Sequence, residues 1–462
     1  MMNDVSYRIV RTIRCKNTNV PGTLGKLTTA IGHVGAEIGN IETVHLGHHF
    51  TVRDIDILIE SEERLTRLID EVSRLQEVSV LQVRDEVLEL HRGGKIKMVS
   101  TVPLDTLDAL SKVYTPGVAE VCRLIAGEPD WKDAYTVIPY SVAIVTDGTA
   151  VLGLGNIGPE AGMPVMEGKA ALLQHLAGVS GIPILVNTTD PDEIVATVKH
   201  IAPTFGGIHL EDIASPRCFQ IEDRLEEELD RPIMHDDQEG TAVVVLAALM
   251  NACERTGLTL EEVRVGLIGL GAAGLTIGEF LLRYTGKPAL GVARTEVSTL
   301  RHAEHGGIPS SFDEIMQTAD IVIATSGVSG LIEPNMVRKG QVIFALSNPF
   351  PEIAPELALA SGAALAIDGK TVNNVIGYPG IWRGTLDAKA TRITYEMYRA
   401  ASLAIARIAR EKEQLVPSPI DPDAHLAVTH SVARAAIESG VARRQLDDDY
   451  FEDTVLEPPL EV

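Results

Sequence analysis

The sequence predicts an α/β protein in three folded parts: an N-terminal ferredoxin-like βαββαβ module, a mixed α/β domain, and a doubly wound parallel domain of Rossmann type. Three observations carry this. Short β-branched runs alternate with amphipathic helical stretches along nearly the whole chain. The stretch VRVGLIGLGAAGLTIGEFLLRYTG reads as strand, glycine turn and helix. Two acidic pairs, Glu211-Asp212 and Asp236-Asp237, each follow a short apolar or extended run, GGIHL and RPIMH, where a strand would end and open into a crevice. The expected boundaries are 1–90, 91–238 and 239–445, with an acidic tail at 446–462.

At 462 residues the chain has ample apolar content for several cores. Lys and Arg total 40 against 64 Asp and Glu, a formal net charge of −24. That argues against nucleic acid and anionic membrane surfaces as partners. Cys15, Cys122, Cys218 and Cys253 are scattered without a CxxC pair, so they read as reduced and structural, and the protein as cytoplasmic. The N-terminus lacks a basic region followed by an apolar one, and no run reaches the about 18 apolar residues of a membrane span.

In the first module, YRIVRTIRC alternates and reads as a strand. NVPGTLGKLTTAIGHVG is a turn leading into a helix, and EIGNIETVHLG with FTVRDIDILIE forms a strand pair. SEERLTRLIDEVSRL is a helix capped by Ser61. EVSVLQVRDEVLEL closes the module as a strand, completing βαββαβ. HRGGKIKM is a linker. Beyond it, Tyr114 stands before Thr115-Pro116-Gly117, at a turn rather than inside an element. SVAIVTDGTAVLGLGNIG reads as two strands around a turn. GMPVMEGKAALLQHLAG opens a helix with Lys169 in its first turn. A cation is disfavoured there by the helix dipole, which suits a base. Further on, KPALGVAR, DIVIATSG and QVIFALSN are strands and SFDEIMQTA is a helix. LDAKATRITYEMYRAASLAIARIAR and VTHSVARAAIESGVARRQL are two more helices.

The acidic pairs point to a metal. Ionised carboxylates about 4 Å apart repel by roughly 4 kcal/mol at an effective dielectric of ~20. A fold keeps such pairs near its core only when a cation offsets them, and all-oxygen ligands suit Mg²⁺ or Mn²⁺. Solvated loop turns are the bland alternative. GxGxxG occurs twice, at Gly153-Gly155-Gly158 and at Gly269-Gly271-Gly274. Only the second has a strand before it and an immediate helix after it, so dinucleotide binding is assigned there. The first is followed by Pro159, Gly162 and Pro164, which do not open a helix at once, and reads as backbone lining a cleft. An acid for the ribose 2′-hydroxyl is missing after the next strand, and Arg294 stands beside its position. This favours NADP over NAD.

Taken together, these stretches resemble the malic enzyme family in its small bacterial form. They are HRGGKI, YTPGVAEVCR, VTDGTAVLGLGNIG, PVMEGKAAL, GGIHLEDI, HDDQEGTA, GLGAAG, ALSNP and NNVIGYPGIWRGTLD, in order over most of the chain. The N-terminal module, with Asn19-Val20-Pro21-Gly22-Thr23-Leu24-Gly25 after its first strand, resembles an ACT domain. The alternative there is a dimerisation module without a ligand. The family resemblance implies oxidative decarboxylation of malate to pyruvate and CO2 with NAD(P)+ and Mg²⁺ or Mn²⁺. It implies that Tyr114 is the general acid, Lys169 the general base and Asp236 the partner of the lysine. Glu211, Asp212 and Asp237 become metal ligands. Gly269, Gly271, Ala272, Ala273, Gly274, Arg294, Ser326 and Asn348 fall at the cofactor, with Asn348 and Asn374 also at the substrate or nicotinamide. An amino-acid effector at the ACT-like module and a homo-oligomer, at least a dimer, are implied as well.

The chemistry of the residues agrees. Hydride loss from C2 yields a β-keto acid, whose decarboxylation builds enolate charge that a cation stabilises. A free lysine, with a pKa of about 10.4, is a poor base at neutral pH, and Asp236 would raise it further, so either the nearby metal, burial and the helix end lower it or the proton is relayed through Tyr114. Two departures from the family stand out. Glu239 occupies the fourth position of DDQEG where the family commonly has histidine. The arginine of a DGxR motif, which in larger relatives binds the substrate carboxylate, is replaced in Asp147-Gly148-Thr149-Ala150. Rival functions are a metabolite-sensing dinucleotide-binding protein without turnover and a hydroxy-acid dehydrogenase that does not decarboxylate.

Overall fold

The computed structural model describes residues 9–151, 153–452 and 455, and the chain divides into two compact units, Met1–Lys97 and Met98–Val462. Tyr7 and Arg8 of the expected first strand, Leu152 and most of the tail beyond Glu452 lie outside the described residues.

The first unit runs β1 (Ile9–Thr18), α1 (Thr23–His33), β2 (Glu37–Leu46), β3 (Phe50–Ile59), α2 (Glu62–Ser73), β4 (Val78–Arg84) and α3 (Glu86–His91). Its antiparallel sheet has the order β2-β3-β1-β4. Period-two alternation decides the faces. Ile55, Ile57 and Ile59 of β3 meet Leu27 and Ile31 of α1 and Leu65, Leu68 and Val72 of α2 in the core. On the opposite face Asp54 takes two 2.7 Å hydrogen bonds from Arg14, which hold its carboxyl below the usual range. The expected closing strand stops short. Asp85 Oδ1 accepts the Leu88 N–H at 3.1 Å, so EVLELH is helix α3 rather than strand.

The second unit opens with α4 (Leu107–Val113), α5 (Val118–Gly127) and α6 (Lys132–Tyr135). A parallel sheet of order β6-β5-β7-β8 follows: β5 (Ser141–Thr146), α7 (Pro159–Ala177), β6 (Ser180–Leu185), α8 (Pro191–Ile201), β7 (Gly207–Leu210), α9 (Arg217–Glu228) and β8 (Ile233–His235). Two expectations fail here. The stretch after β5 forms only one isolated bridge, Val151 to Gly155, because glycines at positive φ bend it away from a second strand. Helix α7 starts at Pro159, a favourable residue for a first turn, so Lys169 lies in the helix middle. The dipole argument therefore does not apply to Lys169. It also follows that both glycine fingerprints are succeeded at once by a helix.

Helix α10 (Thr241–Thr256) leads into a six-stranded parallel sheet of order β11-β10-β9-β12-β13-β14. Its elements are β9 (Val265–Ile268), α11 (Ala272–Thr285), β10 (Leu290–Val292), α12 (Glu296–Glu304), β11 (Ile308–Pro309), α13 (Phe312–Thr318), β12 (Ile321–Ala324), β13 (Val342–Ala345), α14 (Pro355–Ala360) and β14 (Leu365–Asp368). The chain winds outward from β9 in both directions, which is the doubly wound topology and puts its crevice at the carboxyl ends of β9 and β12. A Cβ at Gly274 would meet the Gly269 carbonyl at 2.0 Å, so only glycine lets α11 pack this closely on the turn.

The remaining helices are α15 (Tyr378–Asp387), α16 (Tyr395–Glu411), α17 (Pro422–Glu438) and α18 (Asp448–Glu452). The single long helix expected from Leu386 is two helices. Thr394 caps the second, accepting the Met397 N–H, and α15 begins earlier, at the GYPG turn. Helix α17 also begins earlier, capped by Asp421, and ends before Gly440 at positive φ. The start of the acidic tail is docked: the Tyr450 hydroxyl donates to Asp387 at 2.7 Å. Among the described residues no helix is long and apolar enough to cross a membrane.

Candidate active site

Strands β7 and β8 are adjacent and parallel, with Leu210 opposite His235. The two acidic pairs therefore emerge side by side at one carboxyl edge. Residues 236–240 make a single π-helical turn, a local widening that often accompanies functional sites. Asp212, at φ 55, offers its N–H to Asp237 Oδ2 at 3.0 Å. Carboxylate oxygens of Glu211, Asp212 and Asp237 all lie within 4.8 Å of one another.

Lys169 enters from α7. Its Nζ pairs with Asp236 Oδ2 and lies 3.2 Å from Glu211 Oε1. Asn374 Nδ2 donates to the same Asp236 oxygen at 2.6 Å. Lys169, Glu211, Asp236 and Asn374 thus lie together; of these contacts, the sequence reading expected the pairing of Lys169 with Asp236. Burial pulls the lysine pKa down, yet Asp236 and Glu211 outweigh it and hold the ammonium well above its ordinary value.

One lysine faces four carboxylates, and the excess charge is visible in the acids. Burial, then Glu211, then Asp237 push Asp212 up to about 9. Burial and Glu211 push Asp237 up to about 8. Glu211 goes the other way, to about 2, because Lys169 and His209 overcome its burial. Asp212 Oδ2 and Asp236 Oδ1 are buried without a hydrogen-bond partner among the described residues. Unpartnered carboxylate oxygens converging from adjacent strands fit a hard divalent cation, which would satisfy them together. His209 Nε2, 2.7 Å from Glu211 Oε2, belongs to a second possible ligand group with Glu211 and Asp236. Trp382 settles its role: the indole N–H donates to Nδ1, which leaves the proton on Nε2 and makes His209 a donor to Glu211 rather than a metal ligand. Gly207 makes room, since a Cβ there would lie 2.2 Å from the Trp382 ring.

Tyr114 does not join this cluster. It is 67 % exposed and makes no side-chain hydrogen bond or ring contact among the described residues. The tyrosine beside Lys169 is Tyr378, whose ring centroid is 4.6 Å from Nζ and whose hydroxyl is buried without a hydrogen-bond partner among the described residues. Sequence reasoning missed Tyr378. Its signal was the spacing to Trp382, one helical turn apart on the same face of α15.

The missing arginine also has a counterpart. Arg217, at the start of α9, donates from Nη2 to Asp147 Oδ2 at 3.0 Å and to Thr149 Oγ1 at 2.7 Å, so it sits on the DGTA turn itself. The turn is tied to the acidic edge by the Ala150 N–H to the Asp212 carbonyl, 2.9 Å. The Arg217 Nε–H is buried with no partner among the described residues. A cation at a helix N-terminus is disfavoured, so helix stability does not explain this arginine. Glu239 does not converge on the metal-type cluster. Its Oε2 accepts the His235 N–H at 3.1 Å and its carboxyl bonds to Glu222, while burial pushes it up to about 8.

In the second sheet the turn Gly269 to Gly271 follows β9, Ala272 and Ala273 open α11, and Arg294 is exposed just past β10. Ser326 and Asn348 follow β12 and β13. Glu352, fully buried, accepts from Ser326 N–H and Oγ–H, both at 2.7 Å, and from the Ser347 hydroxyl at 2.6 Å. It thereby holds the loops after β12 and β13, a role no motif announced. The first glycine fingerprint backs onto this region, a Cβ at Gly153 falling 2.8 Å from Pro349.

The malic enzyme N-terminal domain model matches residues 93–226. The chain is 54% identical to NAD-dependent malic enzyme 1 of Bacillus subtilis over 94% of its length and 99% of that protein's. It is 40% identical to an NAD-dependent malic enzyme of Geobacillus stearothermophilus, covering 90% and 92% of the two chains. Among solved structures, malic enzyme from Pyrococcus horikoshii superposes with a TM-score of 0.75 at 39% identity, over 80% of this chain and 94% of that one. With the paired-carboxylate edge, the buried lysine and the doubly wound sheet already described, these similarities lead to one conclusion: the chain belongs to the malic enzyme family.

Proposed function

We propose that the protein oxidatively decarboxylates malate to pyruvate and CO2 while reducing NAD(P)+, with residues 91–238 holding the substrate and residues 239–445 the dinucleotide. The observation that carries this is the meeting of Lys169 with Asp236, Glu211 and Asn374 beside Asp212 and Asp237, with Asp212 Oδ2 and Asp236 Oδ1 buried and without a hydrogen-bond partner among the described residues. Glu211, Asp212 and Asp237 would hold Mg²⁺ or Mn²⁺, which when bound supplies charge stabilisation to the developing enolate oxygen. Lys169 takes the C2 hydroxyl proton, and Asp236 and Asn374 aim it. Its ammonium is held so firmly by Asp236 and Glu211 that this role requires Glu211 to give up its negative charge to the cation. Arg217 receives a malate carboxylate through its unpartnered Nε–H. Tyr114 is the acid that the family resemblance implies for the enol carbon, while the tyrosine standing against Lys169 is Tyr378, its ring centroid 4.6 Å from Nζ.

The Gly269–Gly274 turn and the start of α11 take the dinucleotide pyrophosphate. Exposed Arg294, with no acid at the end of β10, supports a 2′-phosphate and hence NADP, whereas the names of the two Bacillus and Geobacillus relatives support NAD. In the first unit, the Pro21-Gly22 turn into α1, with Gly22 at φ 92, supports an amino-acid effector at an ACT-like module. The test is absorbance of reduced nicotinamide with malate and Mn²⁺, run in parallel with NAD+ and NADP+, with and without EDTA, and with pyruvate quantified. Metal-dependent reduction with one pyruvate per reduced cofactor is expected. Reduction without CO2 release would make the protein a plain dehydrogenase.

A further inference from the structure

Glu352 is fully buried, and among the described residues no cation pairs with it. Its carboxyl is surrounded by donors instead. Oε1 accepts the Ser326 N–H and Oγ–H, both at 2.7 Å, and the Ser347 hydroxyl at 2.6 Å. Oε2 accepts the Ser347 N–H at 3.2 Å. Each hydroxyl in turn accepts a backbone N–H, Ser326 Oγ from Val328 at 3.1 Å and Ser347 Oγ from Gly327 at 2.8 Å. Four donors converging on one carboxyl are the set that an ionised carboxylate takes.

Burying an ionised group is costly unless it is both paired and hydrogen-bonded, and Glu352 is only hydrogen-bonded. Joining two loops does not require the charge, because a neutral amide of the same shape would accept three of the four bonds. The charge therefore calls for a beneficiary of its own, and its place in the fold points to one. Ser326 packs against the glycine turn after β9: a Cβ at Gly269 would fall 2.9 Å from Ser326 Cα, and Thr325 Oγ1 donates to the Gly269 carbonyl at 3.1 Å. Ser347 directly precedes Asn348 beyond β13. The carboxylate thus stands behind the loops at the carboxyl ends of β12 and β13, where a doubly wound sheet takes its ligand. An oxidised nicotinamide ring carries one positive charge, and the hydride it accepts from malate C2 cancels that charge. A fixed negative charge acts on the first form and not on the second.

We propose that Glu352 is a positioning residue that selects charge: through the Ser326 and Ser347 loops its buried carboxylate favours the oxidised, cationic nicotinamide over the reduced, neutral one. This rests on the reading that those loops flank the dinucleotide. The bias assists the exchange of reduced for oxidised cofactor after each turnover.

Titration calorimetry of the full-length protein with NAD+, NADH, NADP+ and NADPH, without malate, tests it by reading the ratio of the two dissociation constants in each pair. In Glu352→Gln an amide oxygen at the Oε1 position keeps three bonds, and the amide nitrogen displaces only the longest. Oxidised cofactor should bind about tenfold more weakly while reduced cofactor binds as before, so the ratio moves about tenfold. Glu352→Asp keeps the charge on a shorter side chain. It should weaken both forms together and leave the ratio unchanged. Equal loss of both forms in the glutamine variant, or no loss of either, would make Glu352 a structural tie alone and overturn the proposal. A ratio that moves tenfold in the aspartate variant would overturn it too, and that measurement stands whether or not the glutamine variant folds. If the parent protein binds none of the four dinucleotides, the reading of the loops as cofactor loops fails and takes the proposal with it, a result distinct from an unmoved ratio in a protein that binds.

Discussion

Trp382 donates its indole N–H to His209 Nδ1 at 3.0 Å, and His209 Nε2 faces Glu211 Oε2 at 2.7 Å. All three side chains are buried, so the relay fixes the imidazole tautomer and aims one carboxylate of the acidic edge. Replacing Trp382 by Phe keeps the ring packing but frees Nδ1 to take the proton. Affinity for Mn²⁺ should fall about tenfold, at the lower end of what removing such supporting groups does. Mn²⁺ titration followed by electron paramagnetic resonance measures this directly, and unchanged affinity would show that the relay is only structural.

Arg217 should govern substrate binding. A hydrogen bond to a charged group contributes about 1.5–3 kcal/mol, which corresponds to roughly 10–150-fold in affinity. For Arg217→Gln the expected outcome is a malate KM raised by about that factor with kcat changed less. Steady-state kinetics across malate concentrations separates the two. An unaltered KM would move the carboxylate contact elsewhere.

The metal-free protein should lose stability as pH rises. Asp212 and Asp237, at about 9 and about 8, bind protons in the folded state far above the unfolded carboxyl value. Between about pH 4, where the unfolded groups ionise, and pH 8–9, the folded state therefore holds more protons, and stability falls with rising pH. A bound cation replaces those protons. Melting temperatures in EDTA should decline from pH 6 to pH 8.5, and saturating Mn²⁺ should remove most of that decline. At a hundredfold excess over Kd the ion contributes about 2.7 kcal/mol. Parallel curves with and without metal would mean that these acids do not bind it.

Arg294 is exposed at the edge where a 2′-phosphate would lie. Arg294→Ala should reduce kcat/KM for NADP+ about tenfold, about 1.4 kcal/mol, and leave NAD+ unchanged. Equal effects on both cofactors would take Arg294 out of cofactor choice.

Glu239 stands where histidine is common in the family, and its carboxyl shares a buried pocket with Glu222. Burial raises both, and Glu239 raises Glu222 further while their hydrogen bond lowers Glu239, so the pair keeps a proton that ordinary carboxylates would release. Glu239→Gln preserves the donor and acceptor shape without that proton. The variant should gain on the parent progressively as pH rises from about 4.5 to about 8 and keep its full advantage above that, as paired calorimetric scans across this range would reveal. A lower melting temperature throughout the range would indicate a direct role in packing.

The local chain was enough to reveal the two sheets, the Gly269–Gly274 turn and the acidic edge, because each depends on short-range rules. Period-two alternation makes strands, glycine permits the close turn before α11, and a strand end exposes whatever follows it. Helix limits were less legible: Pro159 and the GYPG turn look like breaks but start helices, since proline is well placed in a first turn. Only tertiary structure could bring Lys169, Asp236 and Asn374 together, or hang Glu211 on His209 and Trp382 across 173 residues between the last two. The same holds for Arg217 on the DGTA turn and Glu352 beneath two cofactor-side loops. These partners are set by which strands lie side by side and how closely helices pack on them, and no local pattern carries that information.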